Sequence, residues 1–174
     1  MTASPVGPAA ALDARRSPIL LASGHRLFFL AAALWASTAM PLWLIAIEGG
    51  LPLSSAWHGH EMLFGFAGAA LAGFLLTAVP NWTGRPPVCG LPLAGLGLVW
   101  LAGRAAMLSG LFVWIDLLFL PLLAIVVGIA IVGARNARNY PVLGMVVGLA
   151  ALNAWYHLGE TSRALWATTL VLAV

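Results

Sequence analysis

Apolar positions fall into long runs separated by short polar, glycine-rich or proline-rich breaks. The first run covers residues 27–47, with Trp35 and Trp43 along it and Pro41 placed to kink its outer third. Glu48-Gly49-Gly50-Leu51-Pro52 ends it. The second covers residues 61–79 and is expected to stop at Pro80-Asn81-Trp82 and the Gly84–Pro87 turn. The third and fourth, residues 91–108 and 112–132, are joined by so short a connection around Ser109 that they must form an antiparallel hairpin. A fifth covers residues 140–157. The last, residues 164–174, has only eleven residues. At about 1.5 Å per residue it reaches roughly half way across a hydrocarbon core of about 30 Å. The pattern predicts an all-α polytopic transmembrane bundle with five full spans and a partial sixth. It also reads as a chain cut inside its sixth helix, to be completed by a missing C-terminal half or a partner chain.

Composition supports this reading. Hydrophobic residues make up 62% of the chain and charged residues 7%, and mean hydropathy is +1.00. This is the signature of an integral membrane protein whose surroundings are a lipid bilayer. The net charge of +3 rests on eight arginines, with no lysine, and most of them sit in short connections. No basic patch exists for nucleic acid. The one cysteine, Cys89, has no partner for a disulfide or a Cys-x-x-Cys site. Residues 1–26 are rich in alanine, proline and charge and read as a mobile tail before the membrane domain of residues 27–174. A cleaved signal is disfavoured because the first apolar run is too long for a signal core. Arg15, Arg16, Arg26, Arg85, Arg135 and Arg138 fall on one side of the membrane and Arg163 on the other, which makes the N-terminus cytoplasmic.

In that topology His58, His60 and Glu61 open the second span at its outer end, and His157 closes the fifth at the same level. Polar groups at the mouth of a membrane helix are costly, and a purely lipid-filling helix would not carry them. Gly65, Ala69 and Gly73 recur every four residues, so a neighbouring backbone can come close and the second helix should be central. At about 100° per residue, His58, Glu61, Gly65, Ala69 and Ala72 share one face and His60 points the opposite way. His58 is therefore expected inside. In the fifth span His157 shares its face with Asn153, Ala150 and Ala154.

Two readings fit these residues. Neutral imidazoles from two helices can ligate a haem iron or a copper ion, with Glu61 as an acceptor for an imidazole N–H or as a proton carrier. Alternatively the histidines only bond to backbone and water at helix ends. His25, beside Arg26, reads as a headgroup contact. Arg104 and Asp116 are equidistant from Gly110, so the hairpin sets them at one depth as a charge-compensating pair or as part of a proton path. Trp57, Trp82, Trp100, Trp114, Trp155 and Trp166 read as interfacial anchors.

Three stretches carry a family resemblance: Ser54-Ser55-Ala56-Trp57-His58-Gly59-His60-Glu61-Met62-Leu63-Phe64-Gly65, the Gly73 to Gly84 segment with Pro80-Asn81-Trp82-Thr83-Gly84, and Leu101-Ala102-Gly103-Arg104. From about Gly24 onward the chain resembles the N-terminal half of the NnrS family. These are bacterial polytopic membrane proteins with haem and copper, linked to nitric oxide metabolism and defence against nitrosative stress. The resemblance implies haem and copper cofactors and an inner-membrane location. It carries over to His58, His60 and Glu61, and Asn153-Ala154-Trp155-Tyr156-His157 is similar to the corresponding helix. The opening motif departs, with His25 where the family usually has an aromatic.

The expectation is thus a haem- and copper-binding protein with His58, His60 and His157 as candidate ligands for either cofactor. Glu61, Arg104, Asp116 and Asn153 would support the ligands or relay protons. Reduction, sensing and sequestration of nitric oxide are all compatible with these residues. A second reading is a metal-free proton-coupled transporter using His58, Glu61, Arg104 and Asp116 as a relay. A third is a non-catalytic scaffold or remnant.

Overall fold

The computed structural model describes residues 18–159 and 161–173, and residues 1–17 of the expected tail lie outside the described residues. All regular elements among the described residues are helices. After a short 3-10 turn at Ile19–Ala22 come α1 (Gly24–Ile47), α2 (Ser55–Thr83), α3 (Gly90–Ser109), α4 (Phe119–Gly133), α5 (Tyr140–His157) and α6 (Thr161–Leu172). A 3-10 segment, Val113–Leu118, leads into α4. Among the described residues four helical stretches are long and apolar enough to cross a membrane: Gly24–Ile47, Ser55–Thr83, Gly90–Ser109 and Val113–Gly133. The fifth expected span forms helix α5 with the expected bounds. It is not among these four, because Asn153, Tyr156 and His157 lower its apolar content.

Helix α2 differs most from expectation. It starts at Ser55 rather than Glu61, because the Ser54 hydroxyl accepts the backbone N–H of Trp57 at 3.1 Å and caps the new end. It also runs through Pro80. Proline removes one backbone donor, but the next side chains hold the turn: Asn81 donates to the Thr77 carbonyl at 3.1 Å and Thr83 to the Val79 carbonyl at 2.7 Å. The helix ends where Gly84 takes φ +67°, a left-handed conformation that glycine adopts without strain. Within α2, residues Glu61–Phe66 form a wide π-helical turn between two α-helical stretches.

Packing places α2 at the centre. Half of its most apolar window is buried, against 11% for α1. The small residues work as expected. Ala69 and Ala72 are fully buried, and a side chain at Gly73 would meet Phe29 at 2.8 Å and Phe28 at 3.3 Å. Phe28 in turn packs on Phe119 with ring centroids 5.6 Å apart. Leu75, Leu93, Leu120, Leu123 and Val146 complete a core drawn from α2 to α5. At one end of the bundle this apolar core gives way to charge.

Candidate metal centre

The charged end is assembled from three pieces of chain. The first turns of α2 supply His60 and Glu61, the α3–α4 hairpin supplies Arg104 and Asp116, and the last turn of α5 supplies Asn153 and His157. His60, Glu61, Arg104, Asp116 and Asn153 are all buried, none more than 2% exposed. In so dry a place each charge needs a partner. Arg104 supplies two contacts: Nη1 donates to Glu61 Oε2 at 2.9 Å, and Nη2 donates to Asp116 Oδ1. The hairpin symmetry about Gly110 thus does bring Arg104 and Asp116 together, and Arg104 faces the histidines as well.

Two glycines make room for this network. A side chain at Gly65 would lie 2.7 Å from Arg104 Nη1 and from Glu61 Oε2, and 2.8 Å from Trp35 Nε1. One at Gly103 would lie 3.1 Å from the Asp116 Cα. Trp100 closes the floor: its Nε1 donates to the Gly65 carbonyl at 3.1 Å, and its ring lies 5.9 Å from the Arg104 guanidinium carbon. The interfacial role expected for Trp100 and Trp57 does not hold, since both are buried. Trp100 precedes Arg104 by one helical turn, the spacing at which a ring and a cation meet.

The expected facing of the two histidines is reversed. His60 is the interior residue, and His58 is half-buried with its ring stacked on Trp43 at 5.1 Å and 11°. The buried stripe of α2 runs Trp57, His60–Glu61, Phe64–Gly65, Gly68–Ala69 and Ala72–Gly73. His60 lies on this stripe and His58 beside it. A step of about 100° per residue groups Glu61 and Gly65 with His58. They lie between the two histidines, and the wide turn that starts at Glu61 departs from a constant 100° step.

The partners of His60 decide the chemistry. His60 Nδ1 lies 3.0 Å from Glu61 Oε1, which is an acceptor, so Nδ1 carries the proton. Nε2 is the nitrogen left for a second proton or for a cation. It faces two oxygens, Asn153 Oδ1 at 3.0 Å and Asp116 Oδ2 at 3.1 Å. The amide nitrogen of Asn153 is committed to Asp116 Oδ2 at 2.7 Å, which fixes the amide so that its oxygen faces His60. From the other side His157 Nε2 approaches the same Asp116 oxygen at 3.3 Å. Ligand atoms of His60, Asp116 and His157 all lie within 4.8 Å of one another. Acceptor atoms converging in so buried a place call for a cation or a proton among them. Two imidazole nitrogens and a carboxylate oxygen suit copper, iron or zinc. Glu61 behind His60 completes the carboxylate–imidazole arrangement that orients a metal-binding histidine.

The remaining histidine stays outside this group. His25 Nδ1 meets the Ser23 hydroxyl at 2.8 Å, far along the chain from the centre. Phe64, Tyr156 and Trp114 wall the centre, their rings 5.0 Å from His60, 4.5 Å from His60 and 5.9 Å from His157.

Comparison with known families agrees with the motif that carries His60 and Glu61. The family model described as NnrS protein matches residues 19–174, most of the chain. The chain belongs to the NnrS family. The match includes every residue of the buried centre. No curated protein and no solved structure matches this NnrS-family chain.

Proposed function

We propose that this chain is an inner-membrane protein of nitric oxide metabolism or nitrosative-stress defence, and that its buried centre holds copper through His60 Nε2, Asp116 Oδ2 and His157 Nε2. The reading rests on one observation above all: His60 Nε2 is surrounded by acceptors that are themselves held in place. Copper bound there would supply one-electron redox chemistry and a coordination position for a diatomic ligand. The chain's own residues do the rest. Glu61 accepts from His60 Nδ1, Arg104 pairs with both carboxylates, and Asn153 donates to Asp116 Oδ2, the oxygen that faces the imidazoles. Phe64 and Tyr156 cover the His60 ring.

The haem that the family implies does not fit this centre. Asp116 packs within contact distance of Gly103, and the rings of Phe64 and Tyr156 lie 5.0 and 4.5 Å from that of His60, so no space of porphyrin size lies among the ligands. For topology we infer a cytoplasmic N-terminus, a membrane domain beginning near residue 27, α5 as a fifth crossing and α6 as part of a sixth.

One observation favours a second reading. Carboxylate and imidazole groups run without a gap from Glu61 through His60 and Asp116 to His157, which suits a metal-free proton relay. Metal analysis of the purified chain, with nitric oxide consumption measured before and after copper removal, separates the two. The copper reading expects one copper per chain and consumption that stops when copper is stripped. Proton movement in copper-free protein, with no copper bound on reconstitution, would replace it by the relay.

A further inference from the structure

The end of the bundle opposite the buried centre carries positive charge in an unexpected backbone position. Helices α1, α2, α3 and α5 are each closed by a glycine in the left-handed region: Gly49, Gly84, Gly110 and Gly159, with φ between +67° and +99°. Helix α4 is closed by an arginine instead, and Arg135 takes φ +50°. Its N–H donates to the Val132 carbonyl at 2.9 Å and the Asn136 N–H donates to the Ile131 carbonyl at 3.1 Å, the paired bonds of a helix end that most often has glycine in this place. A side chain is strained there and glycine is not. The turn itself gives no reason for an arginine, so the strain points to a use for its charge.

A second arginine reaches the same turn from the α2–α3 connection. The Arg85 guanidinium lies so close over Gly133, the last residue of α4, that an added Cβ would meet Nη2 at 2.5 Å and Cζ at 2.9 Å. The two connections are tied together, because the Asn136 side chain donates to the Trp82 carbonyl at 2.9 Å. Arg138 follows in the short 3-10 turn Ala137–Asn139. All three arginines are exposed, and no carboxylate among the described residues pairs with them. Trp82 and Tyr140 beside them are also exposed, as rings at the headgroup level of a bilayer are. Ile129 and Val132, which precede Gly133 and Arg135 on α4, are 65% and 53% exposed.

We infer that Arg85, Arg135 and Arg138 form a headgroup site for one anionic phospholipid. Guanidinium forks pair with phosphate oxygens two bonds at a time, which a strained but fixed Arg135 and a seated Arg85 are placed to do. An anionic lipid is favoured over a free phosphate because the apolar side chains of Ile129 and Val132 lie next to the arginines, where acyl chains would run. A zwitterionic lipid brings its own ammonium and gains less from three arginines.

The test is native mass spectrometry of the full chain in detergent with phosphatidylglycerol, with phosphatidylcholine of the same acyl chains, and with inorganic phosphate. Wild type is expected to retain one phosphatidylglycerol in preference to phosphatidylcholine. Arg135→Gly and Arg138→Gln should each lower that retention about fivefold, the worth of one basic residue at an anionic membrane surface. Without lipid, Arg135→Gly should unfold at a higher temperature than wild type, which separates a ligand role from a structural one. Gly133→Val keeps every charge and displaces Arg85, and Arg85→Lys keeps the charge and loses the fork; both should lower retention. Full retention by these two variants would overturn the site and leave only diffuse attraction. Equal retention of the two lipids by wild type would overturn it as well, and displacement of the lipid by millimolar phosphate would assign the arginines to a free anion instead.

Discussion

Glu61 Oε1 and His60 Nδ1 stand 3.0 Å apart although the two residues are neighbours on one helix. Adjacent side chains on a regular α-helix diverge by about 100° and do not face each other. Here the π-helical turn beginning at Glu61 lets both point into the core, and the carboxylate fixes which imidazole nitrogen carries the proton. The second Glu61 oxygen is taken by Arg104 at 2.9 Å, so the carboxylate cannot turn away.

Removing that carboxylate should weaken the metal without removing a ligand. For Glu61→Gln we expect copper affinity to fall by about 10–100-fold, the range for partners that orient a metal-binding histidine. Competition against a chromophoric chelator measures it. An unchanged affinity would mean that Glu61 does not orient His60.

Arg104 serves two carboxylates with two nitrogens, a geometry that a single ammonium cannot reproduce. Arg104→Met should cost about 3–5 kcal/mol of stability by leaving Glu61 and Asp116 buried without a counter-charge. Arg104→Lys should recover only part of it. Combining Arg104→Met with Glu61→Gln and Asp116→Asn should restore most of the loss, because the triple variant buries no net charge. Unfolding midpoints in detergent decide this, and a triple variant no better than Arg104→Met would refute the charge argument.

The glycines divide in a way that a small-residue pattern alone does not reveal. Gly65→Ala should cost about 1–3 kcal/mol, because the methyl group would collide with the Arg104–Glu61 pair and with Trp35. Gly148→Ala meets nothing within 4 Å and should be neutral or stabilising by up to about 1 kcal/mol. Equal effects at the two positions would show that the Gly65 clearance is not used.

Much of this was legible beforehand and some was not. The apolar runs gave α1, α3 and α5 to within a few residues, since a membrane helix must be long and apolar along its length. The depth match of Arg104 and Asp116 followed from hairpin symmetry alone. A constant helical step places His58 inside and His60 outside; the π-helical turn at Glu61–Phe66 departs from that step, and nothing in the residue types there announces it. Gly65 reads as a helix-packing glycine, whereas it and Gly103 each make room for a charged side chain that only the folded chain brings near. Pro80 reads as a stop from its missing donor alone, whereas the carbonyl bonds made by Asn81 and Thr83 accompany the helix past it.

The central claim is that two imidazoles and the Asp116 carboxylate hold one copper ion, and electron paramagnetic resonance of the copper-loaded chain tests it most directly. Wild type should give one copper per chain with nitrogen coupling from two imidazoles, reduced to one in His157→Ala, and Asp116→Asn should lower copper occupancy. Copper retained with the same two-nitrogen signal in His60→Ala, or no specific copper in folded wild type, would contradict the account.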